Sequence, residues 1–103
     1  MDDFQAAVQR LLAQVSHWEA GRWSGAAGSA EGTRGDLVHG LVQRLADLGA
    51  DAENRHRRPV PRLADTILAD QVRVTADDLM AAHPTDETLA AAAEAISATR
   101  AGL

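Results

Sequence analysis

Apolar residues recur every three or four positions along four stretches of the chain, and the rhythm is lost between them. The first stretch holds Phe4, Val8, Leu11, Leu12, Val15 and Trp18, and the second Leu37, Val38, Leu41, Val42, Leu45 and Leu48. The third holds Leu63, Ile67, Leu68, Val72, Leu79 and Met80, and the fourth Leu89, Ala92, Ala93 and Ile96. Such spacing gathers the apolar side chains on one flank of an α-helix. It predicts an all-α, single-domain antiparallel four-helix bundle over residues 1–103, with helices at about 3–20, 34–49, 63–82 and 86–101.

Start and stop signals set those boundaries. Asp2 or Asp3 is the expected cap of the first helix, and Gly21 its expected terminator. Five glycines between residues 21 and 35 predict a flexible loop, since each costs a helix up to about 1 kcal/mol. Thr33 or Asp36 starts the second helix at capping-box spacing, and Gly49 ends it. Gly40 weakens its middle, or lets a neighbouring helix approach closely. Pro59 and Pro61 hold the connection 50–62 extended. In the third helix, Val72-Arg73-Val74-Thr75 clusters branched side chains, and Thr75 with Asp78 resembles a fresh cap, so a break there is the alternative. The fourth helix opens on Pro84 with Thr85 as cap.

Composition thins the expected core. Of the 46% hydrophobic residues nearly half are alanine, which removes little area from water. Modest stability follows, and a partner surface would add to it. The net charge of −5, with acidic residues scattered along the chain, reads as solvated helix faces and disfavours a nucleic-acid backbone. There is no cysteine, which excludes disulfides and thiolate chemistry. No segment approaches membrane-spanning length, and the acidic start is unlike a secretory signal, so the expected compartment is the cytoplasm. An alanine-rich chain without lysine resembles the product of a GC-rich bacterial genome.

Candidate contact residues cluster at His17-Trp18-Glu19-Ala20-Gly21-Arg22-Trp23. Tryptophan and arginine bury large areas and keep a polar handle, which suits them to interfaces. Trp18 continues the stripe from Phe4 and belongs to the core. No periodic face claims Trp23, which either folds back onto the bundle end or anchors a partner with Arg22 beside it. Trp23 is the leading contact residue. Arg55, Arg57, Arg58 and Arg62 form a basic loop suited to phosphate or an acidic partner, but no aromatic side chain lies among them for base stacking. The other reading is a solvated loop partly neutralised by nearby Asp51, Glu53 and Asp65.

No catalytic constellation is legible. Histidines 17, 39, 56 and 83 are scattered, and Glu53-x-x-His56 falls among arginines that repel a cation. Neither a metal nor a cofactor is predicted. The only connection short enough for a helix-turn-helix precedes an acidic helix with Asp86, Glu87 and Glu94. Gln14, His39, Gln43 and Gln71 are the polar groups that an internal ligand cavity would need. The expectation is a non-enzymatic protein-interaction module, self-associating as a homodimer, with phosphate or nucleic-acid binding through the basic loop as the alternative.

Overall fold

The computed structural model describes residues 4–28 and 31–103. The helices are α1 (Phe4–Val15), α2 (Ala20–Ser24), α3 (Arg34–Ala52), α4 (Leu68–Ala81) and α5 (Asp86–Gly102), with a 3₁₀ turn at Asp65–Ile67 just before α4. The all-α bundle is present. Its proposed caps Asp2 and Asp3 lie outside the described residues.

The caps read from the sequence operate at two helix starts. Thr33 Oγ1 accepts from the Asp36 N–H, and Asp36 Oδ2 accepts from the Thr33 N–H, both at 3.0 Å, giving α3 a reciprocal capping box. Thr85 Oγ1 accepts from the Thr88 N–H at 3.1 Å and opens α5. Gly49 does not end α3, which continues to Ala52. The stop is Asn54, at φ 56°, with the Arg55 N–H bonding the Ala50 carbonyl at 2.8 Å and the Asn54 N–H bonding the Asp51 carbonyl. That is a Schellman closure made by asparagine in place of glycine. Helix α4 likewise stops against a left-handed His83.

Two further boundaries are corrected. Helix α1 stops at Val15, short of Ala20, and Gly21 lies inside α2. The break turns the chain so that Trp23 enters the core, where it is 1% exposed. Trp18 stands edge-on to it with ring centroids 5.0 Å apart. The segment expected to be a free loop is also tied down. Ala26 bridges Thr33, the Arg34 N–H bonds the Gly25 carbonyl, and the Gly28 N–H bonds the Gly102 carbonyl at 2.8 Å. The third helix starts later than residue 63, in the 3₁₀ turn, and then runs unbroken past Val72–Thr75. Thr75 does not cap a new helix. Its hydroxyl donates back to the Gln71 carbonyl at 2.8 Å, within the turn it belongs to.

Which ends meet fixes the direction of each helix. A Cβ on Gly35 would lie 2.7 Å from Asp65 Oδ1, and one on Gly49 would lie 3.8 Å from the Leu79 Cα. The start of α3 therefore meets the 3₁₀ turn, the end of α3 meets the end of α4, and the two helices run parallel. Gly49, rather than the open Gly40, allows the close approach. Phe4 and Val8 share a cleft with Ala76 and Met80, so α1 begins where α4 ends. Arg100 Nε donates to Gln14 Oε1 at 3.0 Å, and Arg34 Nε donates to the Leu103 carbonyl. Helices α1 and α5 thus finish together beside the start of α3. Each of α1 and α5 packs on its parallel partner and on one member of the opposite pair. The bundle is two parallel pairs laid antiparallel to each other. The core between them holds Leu11, Val15, Trp23, Val38, Val42, Leu45, Leu68, Val72, Leu79 and Ile96.

The parallel α3–α4 pair requires the chain to travel back along α3 before α4 begins, and residues 55–64 do so without regular structure. Polar side chains hold that return. Gln43 Oε1 accepts from the Val60 N–H at 2.8 Å, and its Nε2 donates to the Arg58 carbonyl at 3.0 Å. His39 Nε2 lies 3.1 Å from the Val60 carbonyl, and Gln71 Nε2 donates to the Pro61 carbonyl at 3.3 Å. The prolines keep the strap extended, and these amide and imidazole groups serve its backbone, which has no ladder partner.

Candidate functional site

The residues singled out in the sequence divide into three groups. Trp23 is buried in its own chain and is unavailable as a surface anchor. Its large ring fills the end of the bundle, the first of the two readings open to it. Arg22 is exposed, with its guanidinium carbon 5.4 Å from the centroid of the half-buried Trp18 ring. The two line a broad hollow of about 480 Å³ with His17, Glu19 and Gly21.

The basic loop is largely neutralised by the helix it runs beside. Arg55 pairs with Glu53 at 2.7 Å. Arg57 makes a two-pronged contact with Asp51 at 3.0 and 2.6 Å. That guanidinium holds the Asp51 carboxyl below its ordinary range, and Asp51 in turn raises Arg57. Arg62 bridges Asp36 at 3.2 Å and Asp65 at 3.0 Å. The Asp36 carboxyl is lowered first by the Thr33 backbone N–H and next by Arg62. Of the four, Arg58 is exposed and forms no ion pair with a carboxylate among the described residues. These arginines clamp the strap rather than present a free cationic face.

The four polar groups weighed for a cavity are occupied too. Gln14 serves Arg100, while His39, Gln43 and Gln71 serve the strap. Among the described residues, no three His, Asp or Glu side chains come together as a metal site.

What remains is apolar. Leu63 is 49% exposed, Ile67 40% and Val74 56%, the large hydrophobic side chains that folding leaves in water among the described residues. At about 100° per residue, Ile67 and Val74 share one face, turned away from Leu68, Val72 and Leu79 beneath. Val60 on the strap, with Ile67, Asp70, Gln71, Val74 and Thr75, walls a concavity of about 260 Å³ whose surface is almost wholly apolar. Asp70 and Arg73 pair along one rim at 3.0 Å. On the other side, Gln71 Oε1 is buried without a hydrogen-bond donor.

Periodicity assigned Leu63 and Ile67 to the core and so missed this strip. Its signal lay in α4 carrying two apolar registers. Leu68, Val72, Ala76 and Leu79 make one, and Ile67 and Val74 make the other. Both cannot face the same neighbour.

Compared with known proteins, the chain matches no family model, no curated protein and no solved structure.

Proposed function

We propose that this chain is a small interaction module that acts by contact rather than by chemistry, and that its contact is with a second copy of itself. The observation that carries this reading is the strip of Ile67, Val74 and Val60. It is apolar at its centre and rimmed by one acidic and one basic side chain. A hydrophobic centre with a polar rim is the anatomy of a protein interface. A rim of one acid and one base is its own complement under two-fold symmetry. The small area points to a weak or transient dimer.

Light scattering of the purified chain over roughly 1 μM to 1 mM, a range suited to weak association, tests this. The mean mass should rise toward twice that of one chain with concentration. A mass that stays at one chain across the range removes the reading.

No described helix is long and apolar enough to cross a membrane.

A further inference from the structure

We propose that residues 55–64 form a strap that opens as one unit while the bundle stays folded, and that Gln43 is its latch. The strap is held unlike the helices around it. Every residue from Arg55 to Ala64 is exposed except Val60, which is half-buried against the core. Closing it therefore removes little apolar surface from water. Its backbone bonds go to side chains: Gln43 serves Val60 and Arg58, His39 serves Val60, and Gln71 serves Pro61. A segment with few buried contacts and exposed bonds opens locally, at a lower free energy than the whole fold.

The latch is one amide spanning two strap residues. Gln43 Oε1 accepts from the Val60 N–H at 2.8 Å, while Nε2 donates to the Arg58 carbonyl at 3.0 Å. Its other Nε2 hydrogen goes to Asp47 Oδ1, also at 3.0 Å, one turn along α3. An ionised carboxylate accepts and does not donate. Asp47 therefore fixes which end of the amide is NH₂ and keeps the oxygen for Val60. Pro59 and Pro61 carry no N–H. Val60 thus offers the one backbone donor among the three, and Gln43 takes it.

Two features favour opening. With the strap closed, Gln71 holds the Pro61 carbonyl while its own Oε1 is buried without a donor. Closure leaves that acceptor dry, and water serves it once the strap lifts. The pairs that pin the strap ends, Arg57 with Asp51 and Arg62 with Asp36, lie at the surface, where salt screens them. Leu45, Leu68 and Val72 in the bundle are fully buried and hold by apolar packing. Salt therefore loosens the strap before it touches the bundle.

Amide exchange and limited trypsin digestion of the whole folded chain test this. The Val60 N–H should exchange about 100-fold or more faster than those of Leu45 and Val72, which wait for the bundle to open. Gln43→Leu should speed Val60 exchange about tenfold and leave Leu45 and Val72 unchanged. Cleavage after Arg57 or Arg62 needs a run of free chain, so it reads the strap as a whole. Wild type should be cut there first. The cut should be faster in Gln43→Leu, and faster at about 0.5 M salt than at about 0.05 M, each rate referred to a free peptide of the strap sequence. Val60 exchanging as slowly as Leu45 and Val72 would overturn the proposal, as would first cuts at Arg44 or Arg73 inside α3 and α4. A Gln43→Leu chain that leaves Val60 unchanged, or speeds all three amides equally, would remove the latch.

Discussion

The two faces of α4 are built from the same kinds of side chain and meet opposite fates. Toward the bundle, Leu68, Val72 and Leu79 are fully buried. On the outer side, Ile67 and Val74 lie at the surface, although both are as apolar as their neighbours. The difference is one of geometry. Helix α3 comes close through Gly49, where a Cβ would lie 3.8 Å from the Leu79 backbone, and α1 closes over Ala76 and Met80. The strap meets the outer side through Val60 and the Pro61 carbonyl and leaves Ile67 and Val74 at the surface. Hydrophobicity along a helix thus says how much surface favours burial, and the neighbours decide which part is buried within the chain. Changes on the inner face should act on stability, and changes on the outer face on association.

That division can be broken in several places. The largest effect is expected at Trp23, which the structure puts with the inner set. Trp23→Ala should destabilise the fold by about 3–5 kcal/mol in urea unfolding. A full loss of association with no loss of stability would return Trp23 to the surface. Leu79→Ala comes next, at about 2–5 kcal/mol, because close-packed α3 cannot collapse into the space it leaves.

A smaller loss, about 1 kcal/mol, is expected for Thr33→Ala, which opens the capping box of α3. It should lower the urea midpoint and leave the mass distribution alone. The pH dependence follows from Asp36 and Asp51. Both carboxyls are held below the ordinary 3.8 by hydrogen bonds, from Thr33 and then Arg62 in one case and from Arg57 in the other. Their stabilising effect is complete above that ordinary value and is lost as pH falls through the lowered ones. Thermal unfolding from pH 7 to pH 3 should show a fall at the acid end, smaller in Asp36→Asn. An equal fall in both proteins would show that the carboxylate does not hold the strap. The smallest stability change, under about 0.5 kcal/mol per site, is expected for Ile67→Gln with Val74→Gln on the outer face.

Much of the fold was legible because its signals are local. Four apolar stripes, the Thr33–Asp36 box and the Thr85 cap each depend on residues a few positions apart; the box and the cap operate as read, and the stripes mark where the long helices lie. The break after Val15 was hidden because Trp18 prolongs the stripe in sequence. It is the packing of Trp18 edge-on to Trp23 that turns the chain there. The parallel α3–α4 pair was hidden for a related reason. It depends on side chains of α3 reaching the strap backbone, as Gln43 and His39 do at Val60. Nothing in the composition of residues 50–62 announces those bonds. The neutralisation of the basic loop by Asp51, Glu53 and Asp65 was legible because they lie near it in sequence, whereas the share of Asp36, distant along the chain at the start of α3, was not. The outer strip was present in the sequence as a second register on α4, merged into the first because the two are adjacent in number.

Sedimentation equilibrium of the wild type and the Ile67→Gln/Val74→Gln variant, paired with urea unfolding of both, tests the separation of the two faces most directly. The wild type should approach the mass of two chains as concentration rises. The variant should stay at one, with an unfolding free energy within about 1 kcal/mol of wild type when both are measured as monomers. Equal association by both proteins, or a variant that loses association only because it has lost its fold, would contradict it.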